Sequence, residues 1–568
     1  MAVGSGVREL EVYKCRSVRI LFIGRRFLYF RNYESVIRAL AERGHEIHLA
    51  VERDDTEGQP AFVDVLTKTC PNITCGYAPV RENDDWSWMA SRLRLGLDYL
   101  RYQHPLFGDT PKLTDRSRER TPGAFVRVGN VVRRHAGWAR RPVTALVRRF
   151  ERAIPEDTSI RAFVESQRPD VVLITPLIDV GSSQIEYLRA ARALRIPTAM
   201  CVWSWDHLSS KALIRECPDR VFVWNETQKR EAIELHGVPP EQIVITGAQC
   251  FDLWFDRQPT RDRGAFCREM GLPANRPFML YVCSAPFLGS QPEAPFVLEW
   301  IRRVRASALP GLRDAPILVR PHPSRMREWE DIDVRTFGNV ALRGGSPVDS
   351  CFRDDYFDAL YHSALVVGLN TSAFIEAGII GRPVHTILLP EWYENQEGTL
   401  HFRYLLDVDG GLLEVARDFD THLRQLADSL SHPAAGPRPF VRSFVRPNGI
   451  DVAATPLFVQ AVEQMQTLSP QPSAADVLAP FTQRILRGVI GLRHRSRAER
   501  WLYSTREREV MERDRRALAE TMQREAELRA RSQAAREVKR AERDREWDRH
   551  RAARAVQDAE KKAARSHP

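Results

Sequence analysis

The chain has 568 residues, 43% of them hydrophobic, and a formal net charge of +10. That length makes room for several domains of roughly 100–200 residues each, and the positive balance suits an anionic partner: a nucleotide, a nucleic acid or an acidic lipid surface. No apolar run reaches the ~18 residues a bilayer demands, residues 1–18 lack the apolar core of a signal peptide, and the nine cysteines, Cys70 and Cys75 included, show no metal-type pairing and read as reduced and cytosolic.

Residues 17–24 form a first strand ending in a glycine turn. A helix follows over 33–42, Gly44 ends it cheaply, and residues 47–51 make the next strand. No G-x-G-x-x-G follows the first strand, which argues against a nicotinamide cofactor. Residues from about 82 to 160 interrupt the alternation with an insertion rich in Arg and Trp, among them Trp86, Trp88, Arg92, Arg94, Arg133, Arg134, Trp138, Arg140, Arg141, Arg148 and Arg149. Residues 143–154 have helical apolar spacing with a basic face. The insertion reads either as a solvated helical lid or as a contact with a membrane surface or lipid phosphate, since basic helices with Trp sit at interfaces.

Alternation resumes with a buried strand at 170–176, a helix at 183–194 and a strand at 197–203. That strand runs into Ser204, Trp205, Asp206, His207, Leu208, Ser209, Ser210 and Lys211. Polar loop residues at the carboxyl end of a strand face the ligand crevice of an open α/β sheet. Asp206 or His207 could serve there as general base toward an acceptor hydroxyl. The alternative is a structural loop with Asp206 capping the next helix. Another strand lies at 218–224, and residues 244–252 lead out of this first domain, bounded at 17–250.

A second domain spans 275–432. Its first strand, 277–284, is followed by a Gly/Pro/Ser-rich loop at 285–293 that could line phosphates, then a helix at 298–309. Residues 315–323 are a β-branched strand ending in Arg320-Pro321-His322-Pro323. The two prolines forbid a helix and fix a turn, holding His322 at the sheet rim, with Arg320 and Arg325 adding positive charge. A short strand at 340–342 precedes the most informative stretch, an apolar run at 364–368 followed by Asn370, Thr371, Ser372 and, one helical turn on, Glu376. Helix amides attract anions, so a phosphate fits at the hydroxyls, and Glu376 could grip a ribose hydroxyl. Gly381-Arg382-Pro383-Val384 ends that helix and opens the next strand. Residues 391–394 and 399–402 read as donor-facing loops, 415–430 as a helix, and 440–468 as a closing region with a helix at 453–466. From 480 to 568 the chain becomes a charged helical tail of interleaved signs. Its apolar heptads are sparse for a coiled coil, and Trp501 and Trp547 are too few for a nucleic-acid stacking platform.

Taken together, these residues resemble glycosyltransferases of the GT-B fold over roughly residues 17–465. The spacing from Glu376 to Gly381-Arg382-Pro383 resembles the transferase that adds N-acetylglucosamine to peptidoglycan lipid intermediates, and UDP-N-acetylglucosamine 2-epimerases. The Arg-Pro-His-Pro and Asn-Thr-Ser pair resembles CDP-glycerol glycerophosphotransferases and the capsule Kdo and sialic acid transferases. The resemblance implies an α/β fold of two Rossmann-like domains around a cleft. It implies a donor nucleotide, UDP- or CMP/CDP-activated, held by Arg320, His322, Asn370, Thr371, Ser372 and Glu376, without metal or cofactor. It further implies a glycan or lipid-linked acceptor of the cell envelope or a polysaccharide, and a cytoplasmic enzyme with peripheral contact at the inner membrane face; no nucleic acid is expected. Two other classes stay open: a UDP-sugar 2-epimerase-like enzyme, and a non-catalytic scaffold acting through the tail.

Overall fold

A computed structural model describes residues 17–53, 61–135, 137–286, 290–345, 350–432, 436, 438–470, 478–493 and 495–565. The expected leader-free start at 1–16, and residues 287–289 of the predicted phosphate loop, lie outside the described residues.

Two parallel sheets organise residues up to 470. The first holds β1 (Arg19–Gly24), β2 (Glu46–Val51), β3 (Ile73–Tyr77), β4 (Val171–Thr175), β5 (Thr198–Cys201), β6 (Arg220–Val223) and β7 (Ile243–Ile245). Its order is β3-β2-β1-β4-β5-β6-β7. Phe22 of β1 pairs in register with Leu49 on one side and Leu173 on the other. Alternation decides which face each side chain covers. Ile20 and Phe22 join one core with Val36, Ile37 and Leu40, while Leu21 and Ile23 join another with Tyr187 and Leu188. Both faces are therefore buried, and the strands read as nearly continuous apolar runs.

The second sheet holds β8 (Met279–Val282), β9 (Ile317–Arg320), β10 (Val340–Leu342), β11 (Leu365–Val367), β12 (Val384–Ile387) and β13 (Leu413–Ala416), in the order β10-β9-β8-β11-β12-β13. It repeats the scheme, with Leu280 and Val282 facing one core and Met279 and Tyr281 the other. The fold is α/β, with two Rossmann-like domains. Strand order reverses direction at β1/β4 and at β8/β11, the switch points where such sheets bind ligands.

Three expectations change. The helix placed at 415–430 begins later, because Val415 and Ala416 finish β13 and Asp418 caps the helix Phe419–Ser431 by accepting from the Thr421 amide at 2.7 Å. The insertion is no free lid. Arg94, on the helix Asp85–Arg101, is buried between Glu151 (2.8 Å) and Glu186, and Arg189 joins Glu151 to Glu216. Burial pushes the Glu151 carboxyl up, but Arg189 and Arg94 overcome this and hold it at about 2. Asp98, fully buried, meets Arg215 at 2.7 Å. Such pairs are tolerated only with both partners in place, so the insertion is pinned to the first domain. The tail also starts later than 480. The helix Ala479–Ile490 seats Leu486 and Ile490 against Met89, Leu93 and Val147 of the insertion, and Arg127 lies over the ring of Trp501 at 3.9 Å. Residues up to Leu502 thus form one unit, and residues from Tyr503 a second. That second unit is one 61-residue helix, Thr505–Arg565, about 90 Å long at 1.5 Å per residue.

The helix Ala454–Gln464 packs on the first sheet's core. Phe458, Val459 and Val462 enter the core of β1, and Glu463 bonds Arg43 at 2.8 Å and His45 at 3.0 Å.

Candidate active site

The carboxyl ends of the two sheets approach each other where Arg31, just past β1, and Glu376, after β11, interact electrostatically. On the second sheet, β9 ends in Arg320, which is 4% exposed. Its guanidinium lies 5.3 Å from the ring of Tyr356, and its Nη1 is buried without a hydrogen-bond partner. A buried donor left unpaired is costly. Burial lowers this arginine to about 10, still charged at neutral pH. The turn after it is as rigid as the prolines demand. His322 Nδ1 accepts the Ser324 amide at 3.2 Å. Burial, helped by Arg325, lowers the pKa of His322. The neutral ring then carries its proton on Nε2, which is left as a donor.

The turn after β11 approaches β8 closely. A Cβ on Gly368 would stand 2.7 Å from the Val282 carbonyl oxygen, so only glycine fits. Asn370 is used structurally: its amide donates to Ser284 Oγ at 3.1 Å and its side chain to the Asn395 carbonyl. Thr371 Oγ1 accepts from the Ala373 amide at 3.3 Å. Ser372 is exposed and its hydroxyl caps nothing. The helix Ala373–Ile379 that follows has seven residues, too short for much of a dipole. Glu376 sits on it, bonded by the Tyr356 hydroxyl. Burial raises Glu376 to about 7, against the lowering effects of Tyr356 and Arg31.

Arg31 comes from the other domain, on the short helix Phe27–Tyr33 just past β1. Burial lowers its pKa, Glu376 acts to raise it and Arg353 to lower it. Sequence reasoning missed both Arg31 and Tyr356. The available signal was a basic, aromatic stretch directly after the first strand's glycine, where a crevice residue belongs. Arg325, by contrast, is not available to a ligand. It is 3% exposed on its side chain and donates to the Ser284 carbonyl (3.0 Å), Glu328 (2.6 Å) and Ser290 (2.9 Å), clamping the loop after β8.

Asp206 and His207 also serve the fold. Asp206 accepts from Ser204 Oγ at 2.6 Å and Ser210 Oγ at 2.7 Å, with Lys211 Nζ at 3.3 Å. Burial pushes its carboxyl up, but Lys211 and His401 with the two hydroxyls hold it far below the usual carboxylate range. So weak a base gains little by taking a proton. His207 is fully buried, its pKa lowered to about 3 by that burial. Another acid at the first sheet's edge has the opposite setting. Glu52 follows β2 and accepts from Ser183 Oγ at 3.1 Å, and burial raises its pKa despite Arg25 and Arg53.

The second domain also touches the first beside Asp206. His401 packs edge-on against Trp205 at 4.8 Å, and the Tyr404 hydroxyl donates to Glu231 at 2.7 Å. Leu400 is buried among Tyr102, Phe107, Leu113 and Leu235.

No protein-family model matches the chain, and no curated protein sequence matches it. Solved structures do. UDP-GlcNAc 2-epimerase from Methanocaldococcus jannaschii is 12% identical, with 78% of this chain and 99% of that chain covered at a TM-score of 0.45. UDP-GlcNAc 2-epimerase from Neisseria meningitidis, bound to UDP-GlcNAc, is 10% identical over 78% and 99%, at 0.43. A glycosyltransferase from Rickettsia africae is 9% identical over 84% and 99%, at 0.40.

Proposed function

We propose that the protein is a glycosyltransferase of the GT-B type, moving a sugar or polyol phosphate from a nucleotide-activated donor to a cell-envelope or polysaccharide acceptor. The observation that carries this reading is the grouping, past the carboxyl ends of the second sheet's strands, of a buried unpaired guanidinium, an imidazole N–H and a carboxyl raised to about 7. In this reading Glu376 accepts from the donor's ribose hydroxyls. Arg320, His322 Nε2, Ser372 and, from across the cleft, Arg31 surround its phosphates. Asn370 and Thr371 hold the turn that presents them. As the bond to the leaving phosphate breaks, negative charge grows on its oxygens, and fixed cations in a cleft stabilise that charge without reorganising. Glu52 takes the acceptor's proton in place of Asp206.

Calorimetric titration of uridine and cytidine diphosphates and monophosphates tests the site. Equal binding by the wild type and Glu376→Ala overturns it. Incubation with UDP-N-acetylglucosamine and no acceptor tests the chemistry, where an epimerised product replaces transfer by epimerisation.

The acceptor side bears on location. No helix among the described residues is long and apolar enough to cross a membrane. Arg94 and Arg148 of the insertion are committed inside the protein. Trp138 (80% exposed) and Leu146 (56%) instead lie outside with the exposed Arg133, Arg134, Arg141 and Arg149. We read this face as a reversible contact with an anionic bilayer, worth about 1 kcal/mol per basic residue near the surface. Flotation with anionic liposomes at low salt should retain the protein, and Trp138→Ala should release it. Failure to float at low ionic strength removes this contact.

A further inference from the structure

The Gly381-Arg382-Pro383 motif does not serve the cleft. It lies at the opposite, amino-terminal edge of the second sheet, where Pro277 and Pro383 lead into β8 and β12. There the chain leaves an open pocket of about 290 Å³ lined by Arg263, Pro277, Tyr361, His362, Arg382 and Leu430. Two arginines line it and no carboxylate does. Arg263 spends its guanidinium on the carbonyl oxygens of Ala274, at 2.6 Å, and Arg276, so its charge is not neutralised. Arg382 has less. Its Nε is buried without a partner, and its guanidinium makes no hydrogen bond or ion pair among the described residues. It rests over the Tyr361 ring at 5.6 Å. Neighbouring Asp262 is exposed and accepts from the Ala265 amide at 2.8 Å, at the start of its own helix.

An unpaired guanidinium beside a second uncompensated arginine attracts an oxyanion. Its planar fork matches carboxylate and phosphate oxygens two at a time. We propose that this pocket is a second ligand site, which takes the phosphate or carboxylate group of a small molecule on Arg382 above Tyr361. The volume stands at the lower end for small-molecule pockets, which begin at about 300 Å³. A phosphate or a small phosphorylated or carboxylated metabolite fits, and a nucleotide sugar does not. The site shares two helices with the cleft. Tyr356 and Tyr361 lie on Ser350–His362, and Glu376 and Arg382 flank the end of Ala373–Ile379.

The test uses the full chain. Crystals soaked in tungstate, a heavy phosphate analogue, should show an anomalous peak at the Arg382 guanidinium, absent from Arg382→Gln and retained in Arg320→Gln. Calorimetry with inorganic phosphate, and separately with citrate, distinguishes the two anion classes. The preferred anion should bind at least tenfold more weakly to Arg382→Gln, with Arg382→Lys intermediate because it keeps the charge and loses the fork. Both variants should keep the wild-type melting temperature in anion-free buffer. No tungstate peak at Arg382, or identical titrations of wild type and Arg382→Gln with both anions, overturns the proposal.

Discussion

If Glu376 accepts from the donor's ribose hydroxyls as proposed, nucleotide binding is pH-dependent in a definite direction. It titrates at about 7, raised by burial. The ionised form accepts from both hydroxyls of a ribose with both oxygens, whereas the protonated form turns one oxygen into a donor. Between pH 6 and pH 8 the ionised fraction climbs from about a tenth to about nine-tenths, so the dissociation constant of a nucleoside diphosphate sugar should fall about tenfold, or ~1.4 kcal/mol. A diphosphate sugar is the right probe because a terminal phosphate would add its own titration near pH 6. Glu376→Gln should flatten the profile and weaken binding at pH 8 by ~1.5–3 kcal/mol, the range for a hydrogen bond to a charged group. Tyr356→Phe provides the control. Its hydroxyl stabilises the ionised carboxylate, so its loss should move the midpoint above the wild-type value. The assay is calorimetry in buffers of matched ionic strength. A wild-type profile that is flat from pH 6 to 8, or a Glu376→Gln profile that still rises, refutes the assignment. For the fold the sign is reversed. A raised carboxyl favours the folded state fully below its unfolded value near 4.3, and that contribution is lost as pH rises through 7.

Truncation after Leu502 should leave melting temperature and nucleotide affinity unchanged, whereas truncation after Leu478 strips Leu486 and Ile490 from the insertion and should cost roughly 1.5–3 kcal/mol for each, seen in thermal denaturation. Asp206→Asn should lower the melting temperature while nucleotide affinity stays within about twofold, since the carboxylate's partners are loop groups; loss of turnover without loss of stability would restore it as a catalytic base. Glu52→Gln should lower kcat with donor affinity preserved, measured by product formation. Burial raises the Glu231 carboxyl to about 7, although the Tyr404 hydroxyl favours its ionised form. The raised carboxyl favours the folded state fully at acid pH, and that contribution is lost as pH rises through 7. Thermal denaturation from pH 5 to pH 8 should show this, and Glu231→Gln should flatten the dependence.

Most of the architecture was legible because buried parallel strands write themselves as apolar runs. The strands at β1, β2, β4, β8, β9 and β11 stand where the sequence puts them. The strand β3, Ile-Thr-Cys-Gly-Tyr, carries no such run because it lies at the sheet's edge and is only partly buried. Arg320 closes β9, His322 follows it and Glu376 stands on the helix after β11, so their place past the second sheet's strand ends is local information. Arg31, Tyr356 and the commitment of Arg325 depend on which loops approach across the fold, and no local pattern encodes that. Asp206 misled for the same reason. A crowd of polar groups in a loop looks the same in sequence whether it faces a ligand or satisfies itself.

The chain crosses between the two domains twice, and the crossings lie side by side. The Ala248 amide donates to the Val445 carbonyl oxygen at 2.9 Å, and Asp252 accepts from the amides of Ala454, at 3.0 Å, and Thr455, at 2.6 Å. Gly247, at φ +87°, leaves no room for a Cβ, which would meet that of Ala454 at 2.8 Å. Two tethers riveted together act as the pin of a door. They resist twist and shear and leave a swing about one line as the soft motion. Any opening would then strain the packing of Trp205 on His401 and of Tyr102 around Leu400, the contacts by which the first domain holds the helix Leu400–Asp407.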